Sequence, residues 1–325
     1  MKCSVIIPAY NSEKTINTCL QSAVNQNVPK DNYEVTLIDD GSTDKTQTIA
    51  REFAVNVIPQ KNQGPAVARN NGAVRAKGDI LIFTDSDCEL EPGFIEKITA
   101  PIEQNPEIVG VQGSYKTKQK EFVARFVQVE IETRYQKMAK KRFTDFIGTY
   151  AAAYRKDVFH NFGGFDTGFP LASGEDAEFS YKLQSSGCKM VFEPQACVYH
   201  LHPSTLRAYM RIKFFRGYWR IRLYKKHPTK TINDSYTPQS LKFQVLSIPL
   251  FFFFAALSFF QPLLWFIPLG ILSMFAIHSI PFIKLFRKNK FAKSYLIPAV
   301  LFLRAASIFA GLFCGVINEF INRTK

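Results

Sequence analysis

The run Ile80-Leu81-Ile82-Phe83-Thr84-Asp85-Ser86-Asp87-Cys88 places two carboxylates, one residue apart, just beyond four consecutive apolar residues. Gly78-Asp79 before it is a turn signal, so the run reads as a short buried strand that ends on Asp85 and Asp87. In an open α/β sheet the ligand crevice lies at the carboxyl ends of the strands, and hard divalent cations take oxygen ligands beside substrate phosphates. An Asp-x-Asp by itself is also common in solvated turns. The surrounding chain has to decide between a site and a turn.

Upstream, Ser4-Val-Ile-Ile-Pro8-Ala-Tyr10-Asn11-Ser12 begins as a buried strand, with Asn11 or Ser12 placed to cap a helix over about 13–25. Tyr33 to Ile38 is the next strand and ends in Asp39-Asp40-Gly41-Ser42-Thr43-Asp44, where Ser42 or Thr43 can cap a helix over 45–53. Val55 to Ile58 is a third strand. Strand and helix alternate, as a doubly wound sheet requires. Asn62-Gln-Gly64-Pro65-Ala66 then feeds a small-residue helix carrying Arg69, whose fork suits either a phosphate or an ion pair.

The 325 residues are 46% hydrophobic and 21% charged, which excludes a disordered chain. The net charge of +14 is unevenly placed. Residues 1–199 carry 23 Lys and Arg against 25 Asp and Glu, whereas residues 200–325 carry 18 against 2. Such asymmetry points to nucleic acid or an anionic membrane surface. The apolar runs 241–260, 263–283 and 295–317 decide for the membrane, since each is about as long as a bilayer crossing. Pro203 to Lys230, basic and rich in aromatic residues, then reads as interfacial helices. With the basic segments 207–242 and 284–293 both inside, the first two spans form a hairpin around Gln261-Pro262. Arg304 in the third must face other helices, water or a lipid phosphate. The six cysteines show no C-x-x-C spacing and read as reduced thiols. Cys3 to Ala9 is too short an apolar run for a signal peptide, so the N-terminal domain is expected on the cytoplasmic side.

Taken in order, Val5-Ile-Ile-Pro8-Ala-Tyr10-Asn11, Ile38-Asp39-Asp40-Gly41-Ser42-Thr43-Asp44, Gly64 to Asn70, Gly78 to Asp87, Phe162-Gly163-Gly164-Phe165-Asp166 and Gly174-Glu175-Asp176 resemble the family 2 glycosyltransferases. The resemblance covers about residues 3–202 and implies an α/β, Rossmann-like GT-A domain that binds nucleotide sugars. On that basis the domains are expected at 1–202 (catalytic), 203–240 (basic amphipathic interfacial helices) and 241–325 (two or three transmembrane helices). The resemblance also implies roles. Pro8 and Asp39 would frame the nucleotide base, Tyr10 would belong to the same donor site, Arg69 would approach the diphosphate, and Asp85 would sit near the ribose. Asp87 would coordinate Mg²⁺ or Mn²⁺, with His200 beside the diphosphate or metal. Asp176 would be the general base that deprotonates an acceptor hydroxyl for inverting attack, and Glu175 would position acceptor or base.

Two features depart from the pattern. Tyr150 in Gly148-Thr149-Tyr150 stands where the family often has Asn, and Arg216-Gly-Tyr-Trp219-Arg220 is not the Gln-x-x-Arg-Trp of processive members, which favours one sugar per event. The helix after Gln112 has Phe122, Phe126, Val129 and Tyr135 on one face and is expected to pack on the sheet. His202 carries no assigned role. The expected function is therefore a membrane-anchored, metal-dependent transferase. It would use a nucleotide-diphospho-sugar, read as UDP-linked, and a hydroxyl of a lipid-linked or membrane-proximal glycan, with no nucleic acid partner. Transfer to a polyprenyl phosphate is the nearest rival, but a phosphate needs no base such as Asp176. A nucleotidyltransferase would want a Gly-x-Gly loop after the first strand, which Pro8-Ala-Tyr10-Asn11-Ser12 is not. A non-catalytic membrane scaffold is the remaining alternative.

Overall fold

The computed structural model describes residues 2–169, 174–231, 237–289, 291 and 293–323. The chain forms two compact units, Met1–Lys118 with Tyr135–Leu201, and Gln119–Arg134 with His202–Lys325. In the first, β1 (Cys3–Ala9), α1 (Ile16–Val24), β2 (Tyr33–Asp39), α2 (Thr46–Ala50), β3 (Asn56–Pro59), α3 (Pro65–Arg75) and β4 (Ile80–Phe83) alternate. The four strands pair in parallel in the order β3-β2-β1-β4. Val5, Ile6, Ile7 and all of β4 are fully buried, which explains why these strands are continuous apolar runs.

Beyond β4 the sheet becomes mixed. It uses β5 (Cys88–Leu90), β6 (Ile108–Lys116), β7 (Ala152–Arg155) and β8 (Lys189–His200), with α4 (Phe94–Gln104), α5 (Phe122–Met138), α6 (Lys156–Asn161) and α7 (Glu175–Ser185) between them. The final order is β3-β2-β1-β4-β7-β6-β8-β5, with β7 antiparallel to β4 and β6, and β5 antiparallel to β8. This is the mixed α/β sheet domain expected from the sequence, with several local differences. The segment 187–202 holds one strand of twelve residues, Lys189–His200, rather than two, and register shifts against β6 absorb the irregularity around Pro194. Asn11, Ser12, Ser42 and Thr43 do not cap helices. Asp44 Oδ1 accepts from Thr46 N at 2.9 Å, while Ser12 and Asn11 bond to neighbouring loops.

In the second unit, residues 122–134 of α5 join α8 (Leu206–Lys226), α9 (Gln239–Leu257), α10 (Phe266–Lys288) and α11 (Ile297–Arg323). Here the sequence expectation for α5 fails in part. Phe126 meets Tyr209 and Phe282, and Phe122 meets Phe286, so this face is covered by helices, whereas Tyr135 does pack on the sheet against Phe192. Three helical segments, Gln239–Leu257, Pro262–Lys288 and Ser294–Ile321, are long and apolar enough to cross a membrane. The α8–α11 seam is built from glycines. A Cβ at Gly311 would collide with the Phe214 carbonyl and one at Gly217 with the Ile308 carbonyl, the close backbone approach that small residues permit.

Above this seam lies a buried charge centre. Glu130 accepts from Arg134 at 2.6 Å, from the Lys213 ammonium on both carboxylate oxygens at 2.8 and 2.9 Å, and from the Tyr209 hydroxyl at 2.8 Å. Arg304 Nη1 is 3.5 Å from the same carboxylate, and its Nη2 donates to Gln244 Oε1 at 2.7 Å. Of the three surroundings open to Arg304, other helices are the one observed. Burial would raise the Glu130 pKa, but Lys213, Arg134 and Arg304 more than offset this and hold the carboxyl well below its usual range. In detergent, Gly311→Ala and Gly217→Ala are expected to lose about 1–3 kcal/mol from the forced overpacking, although Ala is the better helix former. Glu130→Gln leaves buried cations unmatched and is expected to cost about 3–5 kcal/mol. Thermal unfolding of the full chain checks both.

Candidate active site

Parallel pairing brings the C-terminal ends of β1, β2 and β4 to one edge, with Ala9 opposite Asp39 and Ile6 opposite Phe83. The loops leaving that edge are tied to one another. Asn11 Oδ1 accepts from Thr43 N and Ser42 Oγ accepts from Asn11 N, both at 2.9 Å. Ser12 Oγ lies 2.8 Å from Ser86 Oγ. Residues 85–88 form a turn closed by Cys88 N donating to Asp85 O at 3.0 Å. Together these loops enclose a cleft of about 370 Å³ whose wall includes Pro8, Tyr10, Asp40, Arg69, Asp85, Asp87 and His200.

Arg69 is the buried hub, only 2% exposed. Its Nη2 donates to Asp85 Oδ1 at 2.7 Å and its Nη1 to Glu175 Oε1 at 2.9 Å. Burial opposes its charge, but Asp85, Glu175 and, further out, Asp176 more than compensate and raise its pKa. Local structure sets it there. Gly64, at φ +90°, turns the chain into α3, and the Asp40 carboxylate accepts from Gln63 N and Gly64 N at 2.9 Å each. The next residue, Asn70, clamps the Phe162-Gly-Gly-Phe165 turn by bonding both Phe165 O (2.8 Å) and Phe165 N (2.9 Å). Glu175, buried at the first position of α7, and Asp176, partly exposed beside it, follow from that docking. Asp176 Oδ1 accepts from Ala177 N at 2.7 Å. Leu171 to Ser173, read in the sequence as leading into this helix, lie outside the described residues.

Asp87 and His200 meet because β5 pairs with β8, with Cys88 opposite His200. Asp87 Oδ1 lies 3.6 Å from His200 Nε2. The imidazole stacks on Tyr115 with centroids 5.2 Å apart, and Tyr115 is braced edge-on by Tyr150 and Tyr135, whose hydroxyls lie 3.0 Å apart. Burial raises the Asp87 pKa; His200 opposes the rise and Asp85 adds to it. A carboxylate oxygen and an imidazole nitrogen converging at one edge of a cleft fit a divalent cation that completes its shell with substrate oxygens and water.

Pro8, Tyr10, Arg69, Asp85, Asp87 and His200 therefore surround one cleft, Glu175 is joined to it through Arg69, and the charge of Asp176 reaches the same guanidinium. Asp39 is turned into its own loop, accepting from Ser42 N at 3.2 Å and Gln47 Nε2 at 3.4 Å. His202 sits in the second unit, with Nε2 3.0 Å from Gln128 Oε1. Sequence reasoning missed Asp40 as the organiser of the α3 turn and Tyr115 as the platform for His200. Neither carries a local signal, because each acts through a contact far along the chain.

Residues 4–163 match the model of the glycosyl transferase family 2 family. The chain carries a family 2 glycosyltransferase domain. Among curated relatives, glycosyltransferase AglE of Haloferax volcanii is 30% identical over 200 residues, which is 58% of this chain and 63% of that protein. A Methanococcus voltae enzyme, the dolichyl N-acetyl-α-D-glucosaminyl phosphate 3-β-D-2,3-diacetamido-2,3-dideoxy-β-D-glucuronosyltransferase, is 27% identical over 224 residues, 64% of this chain and 69% of that protein. The chain thus spans less than two thirds of the first of these. Among solved structures, the mannosyltransferase PcManGT of Pyrobaculum calidifontis, in complex with GDP-Man and Mn²⁺, shares the fold at a TM-score of 0.63 and 20% identity, covering 98% of this chain and 88% of that one. The three apolar helices of the second unit follow the family 2 domain in sequence.

Within the family 2 domain, Arg69→Met removes the buried cation that Asp85 and Glu175 share and is expected to destabilise the chain by about 3–5 kcal/mol. The double variant Arg69→Met/Glu175→Gln should recover part of that loss, a coupling readable in thermal unfolding of the two single variants and the pair.

Proposed function

We propose that this chain transfers a sugar from a UDP-linked nucleoside-diphospho-sugar to a hydroxyl of a lipid-linked or membrane-proximal glycan, with inversion at the anomeric carbon. The observation that carries the proposal is the Asp85–Arg69–Glu175 chain. It fixes the turn bearing Asp87 to the first turn of α7, which bears Asp176. The two halves of a transfer site, one for donor and one for acceptor, are thereby linked by a buried guanidinium.

Pro8 and Tyr10 line the donor cleft, where the base would lie, with Asp39 in the adjoining loop and Asp85 toward the ribose. Asp87 and His200 are the residues that would hold Mg²⁺ or Mn²⁺. When bound there, the cation neutralises charge developing on the departing nucleoside diphosphate. Arg69, held by two carboxylates, acts by positioning both and lends its charge to the cleft wall. Asp176 takes the proton of the acceptor hydroxyl, and the freed oxygen attacks in line with the departing diphosphate. Glu175 orients this turn through Arg69.

The acceptor class is supported by the second unit and by the lipid-linked acceptor in the name of the Methanococcus relative. We place the spans in the membrane, with the family 2 domain on the cytoplasmic face, from the cations flanking the first two spans. Purified chain with Mn²⁺ and a lipid-linked glycan is expected to release nucleoside diphosphate from one donor of a nucleotide-sugar panel. Silence with every donor would overturn the reading. Asp176→Asn should lower turnover by roughly 10²–10⁴-fold while donor binding persists, and Asp87→Asn should abolish the Mn²⁺ dependence of donor binding, which isothermal titration separates.

A further inference from the structure

Asp87 and His200 belong to two cavities. Besides the donor cleft they line a second cavity of about 160 Å³ on the side of α1, whose wall also includes Cys88, Cys19, Lys118 and Tyr199. In this second cavity the donor set changes. One ligand atom each from Asp87, Cys88 and His200 lie within 4.8 Å of one another. Cys88 Sγ is 4.0 Å from Asp87 Oδ1, and His200 Nε2 is 3.6 Å from the same oxygen.

We propose that Asp87, Cys88 and His200 form a site for a thiophilic divalent cation of the Zn²⁺ class, and that its occupation excludes the hard cation of the donor cleft. The binding stands on the three donors alone; the exclusion rests on the function proposed above. Oxygen, nitrogen and sulfur from Asp, His and Cys are the ligands Zn²⁺ takes, at bond lengths that set ligand atoms roughly 3.4–3.7 Å apart in a tetrahedron. The observed spacings need a contraction of about an ångström or less to reach that geometry. The β5–β8 ladder holds two of the three residues opposite one another, so little chain has to be ordered.

The sulfur is what discriminates. Mg²⁺ and Mn²⁺ gain little from a thiol and favour oxygen, whereas Zn²⁺ favours thiolate and imidazole. On binding, the S–H bond of Cys88 breaks, a sulfur–zinc bond forms and the proton leaves to solvent. A cation on Cys88 draws on Asp87 and His200, the two residues that also line the donor cleft. One pair of ligands cannot serve both cavities at once.

Co²⁺ is the probe. Full-length protein in detergent, without donor, is expected to show a near-ultraviolet thiolate-to-cobalt charge-transfer band at one equivalent of Co²⁺, removed by added Zn²⁺. The band should be absent in Cys88→Ser and Cys88→Ala and retained in Cys19→Ser. X-ray absorption of the zinc-loaded wild type reads the same bond without a variant, as one sulfur neighbour at about 2.3 Å. With Mn²⁺ and donor present, Zn²⁺ should inhibit in competition with Mn²⁺, and Cys88→Ser should raise the Zn²⁺ needed for half inhibition at least roughly tenfold, the lower end of what loss of even an outer ligand partner costs. An all-nitrogen/oxygen shell, no band in the wild type, or a band surviving in both Cys88 variants overturns the site. If Mn²⁺-dependent donor binding persists in that case, the transferase reading stands. A thiolate band with no Mn²⁺-dependent donor binding overturns the transferase reading and leaves the zinc site.

Discussion

A guanidinium buried between two carboxylates is the constraint on which the first unit depends. Arg69 holds Asp85, at the end of β4, and Glu175, at the start of α7, residues ninety apart in sequence, through bonds of 2.7 and 2.9 Å. Burying such charges is costly unless each is paired and hydrogen-bonded. The arrangement is therefore stable only when α3, the β4 turn and α7 are all in place. It also leaves a charge imbalance. One guanidinium faces Asp85 and Glu175, and Asp87 and Asp176 add further negative charge nearby. A nucleoside diphosphate entering that cleft would meet net repulsion. In the function proposed above, a divalent cation accompanying it would remove that repulsion.

The helical unit answers the same electrostatic problem with the opposite sign. Glu130 is a single carboxylate among Arg134, Lys213 and Arg304. An arginine inside an apolar helix is expensive in a bilayer, and its cost falls when it pairs within the protein. Here Glu130 and Gln244 supply the partners. Glycines at 217 and 311 let α8, which carries Lys213, and α11, which carries Arg304, approach closely. The basic character of α8 is thus divided. Lys213 turns inward to the carboxylate, while Arg207 and Arg211 remain on its exposed face.

What could be read from the sequence was what local pattern dictates. β1, β2 and β4 are continuous apolar runs ending on polar turns, and the three long helices announce themselves by length alone. What could not be read depends on distant partners. β5 is three residues long and exists because β8 pairs with it more than a hundred residues later. The face of α5 carrying Phe122, Phe126 and Val129 is visible as a period, but a period does not say whether sheet or helix will cover it. Asn11, Ser12, Ser42 and Thr43 are residue types that cap helices, and here the same hydrogen-bonding groups tie loop to loop instead.

The Asp85-Ser86-Asp87 motif shows how much a turn decides. On a strand, residues two apart would point to the same side and serve the same partner. Because the chain leaves β4 at Phe83 and closes a turn from Asp85 to Cys88, the two carboxylates diverge. Asp85 is directed inward to Arg69, and Asp87 is directed to His200 and the boundary between two cavities. One acid is thereby held by a protein cation, which fixes the geometry of the turn. The other faces His200 and a second acid, Asp85, and in the function proposed above it is the one left to hold a cation. The two members of the motif thus have unlike partners: the first ties the turn to Arg69, and the second lies beside His200 at the cleft edge.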